Sequence, residues 1–289
     1  MHFLFEPGLW ASSPVRTGLL VGTLVAIVTS SVGFFTVMRG QAFAGEALGD
    51  MGAAGGSSSY LLGINALWGF VIINLLAASA MELVGVQKVK GRDLATGIVL
   101  GVGFSLAALF LYIGTTFDNV SGAPVTILFG SLFVISSSTI PLVLGLCAIV
   151  LSLLVFLHRP LLLCSFSPDL AQAKGLPVRL IGFAYLVAMA LTVALAALTI
   201  GAILSTALLV GPAAASFRLA KSPKLALVLA SLLAILSVWI GVVLAYDSYD
   251  WGSAHHGWPV SFFVVAIIVA FYGVASMVSW LRERSTNVR

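Results

Sequence analysis

Two carboxylate side chains, Glu46 and Asp50, are the only charged groups between Arg39 and Glu82. Their spacing of four residues places both on one face of a helix. Counted from Arg39 at about 1.5 Å per residue, Glu46 lies roughly 10 Å and Asp50 roughly 16 Å along such a helix. If that helix crosses a bilayer, both acids lie deep in hydrocarbon, where ionised groups are costly and usually functional.

The pair is a candidate transient site for a transported cation. Two carboxylates held together in a low dielectric repel each other unless a cation or protons lie between them. A divalent metal ion would relieve that repulsion. Two other interpretations stay open, namely a protonated or hydrogen-bonded pair that fixes helix packing and a proton relay in a secondary transporter.

Membrane-spanning helices must position these acids. Of the 289 residues, 60% are apolar and 8% are charged, whereas a soluble domain carries about 25% charged residues. A helix needs about 20 mostly apolar residues to cross a bilayer. We predict an all-α polytopic membrane protein, with residues 1–289 forming a single transmembrane domain, a bundle of eight or nine helices. The predicted spans are 17–38, 41–62, 67–86, 94–115, 139–157, 180–198, 200–217, 225–245 and 262–281, of which the second is the least apolar.

The basic residues predict the orientation of these spans. Lys and Arg favour cytoplasmic loops, and with the N-terminus outside and the C-terminus cytoplasmic, 13 of the 14 fall on the cytoplasmic side. Only Arg16 lies outside. We therefore expect a multi-pass protein of the bacterial inner membrane. Residues 124–138 are apolar but precede a full span, and we expect a short re-entrant or interfacial helix there.

Catalytic motifs are missing from the sequence. It contains no His-Glu-x-x-His helix, no Gly-x-Ser-x-Gly turn and no phosphate-binding Gly-x-x-x-x-Gly-Lys-Ser/Thr loop. We therefore expect a non-catalytic transport subunit with no permanently bound cofactor, and any ATP would be hydrolysed by another chain. No basic stripe with interleaved aromatic residues is present, so nucleic acid is not an expected partner; membrane lipid is.

Five segments resemble signatures of the zinc/manganese/iron-type permeases of bacterial ATP-binding-cassette (ABC) importers. Their order and spacing make the resemblance specific, and together they extend over most of the chain from about residue 20 to 280. The segments are VMR at 37–39 with FAGEALGD at 43–50, RDLATGIV at 92–99, LFG at 128–130, SPDLAQAKGLP at 167–177 and ALLVGPAAA at 207–215.

The resemblance implies a set of partners. Two permease chains would pair, as a homodimer or with a related permease, above two cytoplasmic ATPase chains, and an extracytoplasmic solute-binding protein would deliver the metal. A cytoplasmic coupling segment of about 159–179 would contact the ATPase through Asp169, Ala173 and Gly175. Within it, Ser167 or Asp169 can cap a short helix that ends at Gly175. The outer loop of about 247–260 is either an aromatic membrane anchor or a docking surface for the external partner.

The chain departs from the family pattern at the acidic pair. The family commonly has Asp and His at the positions that hold Glu46 and Asp50 here. Two carboxylates without an imidazole suit harder ions such as Mn²⁺ or Fe²⁺ better than zinc. The family has further site positions on the penultimate span, for which Ser237 and Asp247 are the candidates. A permease for a metal chelate or a vitamin is the remaining alternative.

Overall fold

The computed structural model describes residues 12–84, 92–117, 122–130, 132–135, 138–251 and 257–287. Nine long helices and two short ones account for the α-helical structure of this part of the chain. They are α1 (Ser13–Met38), α2 (Ala42–Leu61), α3 (Ala66–Val84), α4 (Arg92–Thr116), α5 (Ala123–Phe129), α6 (Ile140–Phe166), α7 (Pro168–Ala173), α8 (Val178–Ile200), α9 (Ala202–Leu219), α10 (Pro223–Asp247) and α11 (Val260–Asn287).

Eight of the long helices in the described ranges are long and apolar enough to cross a membrane. The ninth, α2, has the length of a span but is rich in Gly, Ala and Ser. The prediction of an all-α bundle of eight or nine spanning helices is therefore confirmed. The short α5 begins one residue before the stretch 124–138, for which a short re-entrant or interfacial helix was predicted, and ends inside it.

The helix α2, the least apolar of the predicted spans, is also one of the helices most enclosed by their neighbours. α2 packs against α3, α4, α8 and α9. Glycines make this possible, since Gly55 of α2 meets Gly69 of α3 backbone to backbone, and Gly103 of α4 lies against Met51. Lipid provides no hydrophobic drive between helices, so close packing through small residues is the main way to hold such a bundle together.

The outer faces of α4 and α6 carry large apolar side chains that no other described helix covers. Phe104 and Tyr112 on α4 and Val155 and Phe156 on α6 are all mostly exposed. In water such a surface would cause aggregation, whereas acyl chains solvate it. In contrast, α8 is buried along most of its length and forms the centre of the bundle.

The helix α6 is longer than the sequence predicts. It continues through Pro160 to Phe166, so the predicted coupling segment of about 159–179 begins inside a long helix. An internal proline costs about 3 kcal/mol because it removes one backbone hydrogen bond. Leu161 and Cys164 are buried against the bundle, and their packing offsets this cost. Outside the long helices, the segment consists of residues 167–177, which include α7.

The tip of α5 touches the joint between α8 and α9 through two glycines. Gly130 has a φ of 81° and Gly201 a φ of 94°, in the region that favours glycine. A Cβ on Gly130 would lie 2.5 Å from the Gly201 nitrogen, and one on Gly201 would overlap the Leu128 carbonyl. The joint that begins α9 therefore requires glycine at both positions.

Replacing Gly201 with alanine is expected to destabilise the fold strongly. The positive φ and the overlap with the Leu128 backbone together predict a loss of about 2–5 kcal/mol, measured as a lower melting temperature of the purified protein. The matched control is Gly273→Ala on α11, where nothing lies within 4 Å of the added methyl group. Equal melting temperatures for the two variants would contradict the proposed constraint.

Candidate functional site

Glu46 and Asp50 lie on α2 beside the helix α9. Glycines let α9 approach, because a Cβ on Gly45 would lie 2.7 Å from a Leu209 methyl carbon. The two acids are partly buried and are close enough for the charge of Glu46 to act on Asp50. The structure therefore keeps the predicted pair on one side of a closely packed helix.

An open groove of about 700 Å³ lies between α2, α9 and α11, and Glu46 is the acid that lines it. Most of the other lining side chains are apolar, among them Phe43, Val210 and Ile268. A carboxylate cannot face acyl chains at a low free-energy cost. The groove is therefore a surface that requires water, a cation or another protein chain.

One end of the groove is bordered by a contact between α9 and α11. A guanidinium nitrogen of Arg218 donates a hydrogen bond of 3.2 Å to the Tyr272 hydroxyl. The Arg218 guanidinium also lies 5.7 Å from the centroid of the same ring, and Tyr272 lines the groove. The Arg218 guanidinium therefore places a positive charge at this end of the groove, opposite in sign to the carboxylate of Glu46.

The pair itself offers only carboxylate oxygens as metal donors. Glu46 and Asp50 form no hydrogen bond or ion pair with any residue that the structure describes. No group of three or more His, Cys, Asp and Glu side chains that could hold a metal occurs in the described ranges. His158 instead packs edge-on to Phe35, with ring centroids 5.9 Å apart. The site thus has two carboxylates and no imidazole or thiolate from this part of the chain.

The structure does not bring Ser237 and Asp247 to the pair. Both lie on α10 and are buried, and α10 packs mainly against α1, α9 and α11. The Ser237 hydroxyl donates to the Leu233 carbonyl oxygen at 2.8 Å. Asp247 ends the helix and has a partner of its own. The metal-binding roles predicted for these two residues stay predictions.

The short helix α7 forms the exposed part of the coupling segment. The Ser167 hydroxyl accepts a hydrogen bond from the Leu170 backbone N–H, so Ser167 is the cap. Asp169, Ala173 and Gly175 are all exposed, and Gly175 follows the helix with a φ of 76°. The three residues predicted to contact the ATPase therefore share an uncovered segment.

One residue beside the pair was not found from the sequence. The Thr206 hydroxyl lies 3.6 Å from the position of a Cβ on Gly49, and Thr206 lines the groove with Glu46. It stands directly before the ALLVGPAAA segment. Its place next to this segment was the only hint that the sequence offered for Thr206. The packing of α9 on α2 was needed to show which side of α9 faces the acids.

The N-terminal end of α11 carries an aromatic cluster. Trp258 packs against Phe262 and Phe263, with ring centroids 5.7 and 6.3 Å apart, and Trp251 packs edge-on to Phe263 at 5.8 Å. Residues 252–256 of the predicted outer loop lie outside the described residues. The cluster fits an anchor at the headgroup level, where tryptophan is enriched.

Comparison with known proteins agrees with this architecture. The model of the ABC 3 transport family matches residues 13–279. The chain is 30% identical to the manganese transport system membrane protein MntC of Listeria monocytogenes, over 84% of this chain and 85% of that protein. It is also 30% identical to the high-affinity zinc uptake system membrane protein ZnuB of Haemophilus influenzae, over 80% of this chain and 88% of that protein.

A solved structure has the same fold. The PsaBC complex of Streptococcus pneumoniae, determined with a Fab, contains a chain that superposes with a TM-score of 0.78 at 26% identity. The superposition covers 93% of this chain and 92% of that chain. The helical bundle and its groove define a polytopic membrane permease. The chain belongs to the ABC 3 transport family and is a membrane-spanning permease subunit of the ABC type.

Proposed function

We propose that this chain forms the ion pathway of an ATP-driven importer for divalent metal ions and that Mn²⁺ fits its site better than Zn²⁺. The observation that carries the proposal is the pair Glu46 and Asp50, which has no partner among the described residues and of which Glu46 lines an open groove. An ion between two carboxylates removes their mutual repulsion. Carboxylate oxygens suit Mn²⁺, whereas zinc sites in proteins usually also contain imidazole or thiolate ligands.

The relatives support a divalent metal ion as the cargo. The Listeria protein is named for manganese transport and the Haemophilus protein for zinc uptake. Zinc therefore stays within the range of cargoes to test, together with iron. The donor set of the present chain, and not its similarity to either protein, is the reason to place manganese first.

The partners of the proposed importer follow from its lack of a nucleotide site. The sequence has no phosphate-binding loop, so a separate ATPase must hydrolyse ATP, and this chain would itself be non-catalytic. The exposed α7 with Asp169, Ala173 and Gly175 is the proposed contact for that ATPase. A second permease copy or a related permease would complete the pathway, and an extracytoplasmic solute-binding protein would deliver the ion.

The proposed orientation places α7 on the cytoplasmic side, with the N-terminus outside and the C-terminus inside. Thirteen of 14 Lys and Arg residues are then cytoplasmic, as basic loops prefer. Glu82 at the end of α3 and Arg179 at the start of α8 form an ion pair of 3.0 Å on this side. Alternating access would pass the ion along the groove when ATP binding moves the helices through α7.

Metal accumulation in cells tests the proposal. Cells that produce the chain with its cognate ATPase and solute-binding protein are expected to accumulate manganese above cells that lack the chain, as measured by elemental analysis. Iron and zinc are assayed in the same cells. Accumulation of none of the three metals would refute the metal-import function, and uptake that persists without the ATPase would indicate a proton-coupled transporter.

A further inference from the structure

Most threonines in the described helices donate a hydrogen bond from the side-chain hydroxyl, but Thr206 does not. Threonine in a helix usually donates to the carbonyl oxygen three or four residues before it. The seven described threonines that do so are Thr23, Thr36, Thr96, Thr115, Thr126, Thr192 and Thr199. The Thr206 hydroxyl is buried and has no hydrogen-bond partner in the part of the chain that the structure describes. A buried hydroxyl without a partner is costly and indicates a missing ligand or water.

The Thr206 hydroxyl lies beside the turn of α2 that carries the carboxylate pair. Its oxygen lies 3.6 Å from the place of a Cβ on Gly49, which is three residues after Glu46 and one before Asp50. Because Gly49 has no side chain, nothing from that residue separates α9 from this turn of α2. Thr206 also lines the same groove as Glu46. The unpartnered hydroxyl therefore lies against the turn of α2 that carries Glu46 and Asp50.

We propose that the Thr206 hydroxyl is a third oxygen ligand of the transported cation, together with the carboxylates of Glu46 and Asp50. This inference rests on the proposed function and extends it. A hydroxyl binds a hard divalent cation through a lone pair without losing its proton, so it adds a donor without adding charge. Modest binding of this kind lets the ion leave again, as transport requires.

The shared site also links affinity to helix movement. The acids belong to α2 and the hydroxyl to α9, so the full set of oxygen donors exists only while these two helices are in contact. If the two helices separate during alternating access, the ion loses one ligand and its affinity falls. A ligand set on one helix alone would not respond to such a movement.

The test compares Thr206→Val with Thr206→Ser in the complete transporter. Valine matches the shape of threonine but lacks the hydroxyl, and it is expected to raise the KM for manganese uptake at least about tenfold with little change in the maximal rate, as expected when a ligand is lost. Serine retains the hydroxyl and is expected to stay near wild type. Thr29→Val on α1 is the matched control, because Thr29 also has a buried hydroxyl without a partner in the described residues but is not among the groove-lining residues.

A second variant covers the case in which valine prevents folding. Thr206→Cys keeps a small side chain but replaces a hard oxygen with a soft sulfur, and it is expected to shift uptake from manganese toward zinc. Wild-type kinetics for Thr206→Val, with uptake still dependent on Glu46 and Asp50, would overturn the role of Thr206 and leave the proposed function intact. An unchanged metal preference in Thr206→Cys would overturn it as well. No metal uptake by the wild type would refute the proposed function itself.

Discussion

Replacement of Glu46 by Gln and Asp50 by Asn in one chain is expected to abolish manganese uptake while the transporter still folds. Both substitutions keep side-chain shape and remove the charge that would hold the ion. Loss of weaker, outer-shell groups at metal sites already costs about 10–100-fold in affinity, so we expect uptake at limiting metal to fall by at least about tenfold. The measurement is the initial rate of manganese uptake at equal protein levels.

The stability of the same variant separates the cation site from a structural role. Without metal, two carboxylates that share a low-dielectric site repel each other, so the amide variant is expected to melt at or above the temperature of the wild type. Manganese at about 100 times its Kd stabilises a binding-competent protein by about 2.7 kcal/mol. The wild type should show this increase and the double variant should not.

The control is another carboxylate of the chain. Glu82→Gln removes an acid that does not line the groove. Glu82 pairs at 3.0 Å with Arg179, whose side chain is exposed, whereas the Glu82 side chain is mostly buried. Its uptake is expected to stay within about twofold of wild type by the same measure. If the Glu46/Asp50 variant instead melts well below wild type and still takes up manganese, the pair fixes helix packing and is not the ion site.

Charge reversal in α7 is expected to stop uptake by a different route. Asp169→Lys together with Ala173→Arg changes two exposed residues of the surface proposed to contact the ATPase. Central interface residues often contribute about 2 kcal/mol or more, so we expect at least about a tenfold loss of uptake. Because the ion site is untouched, manganese should still raise the melting temperature of this variant.

The expected cause is a lost contact with the ATPase, which co-purification measures directly. The double variant should retain little ATPase after detergent extraction, whereas Lys221→Glu should retain it. Lys221 is an exposed residue in the turn between α9 and α10 and serves as a charge-reversal control on the same side of the membrane. Normal co-purification and normal uptake in the α7 variant would show that this segment is a plain connection between α6 and α8.

Much of the fold follows from local sequence. The predicted second span, 41–62, is α2 at Ala42–Leu61. Of the two predicted caps of the short helix, Ser167 is the one observed, and the helix ends at Ala173, two residues before the predicted end at Gly175. Apolar runs, capping hydroxyls and glycines at positive φ act over a few residues, so the sequence is sufficient to locate such elements. The spacing of Glu46 and Asp50 on one helix face is determined in the same way.

Only the tertiary structure shows which helices pack against one another. The path of α6 through Pro160, the distance of α10 from α2 and the approach of Thr206 to Gly49 all result from packing between segments far apart in sequence. In a bilayer, lipid-facing and buried positions are both apolar, so hydropathy alone does not show which side of a helix meets its neighbour. The sequence therefore determined the spans and the acids, and only the packing of α9 against α2 placed the Thr206 hydroxyl near the turn that carries these acids.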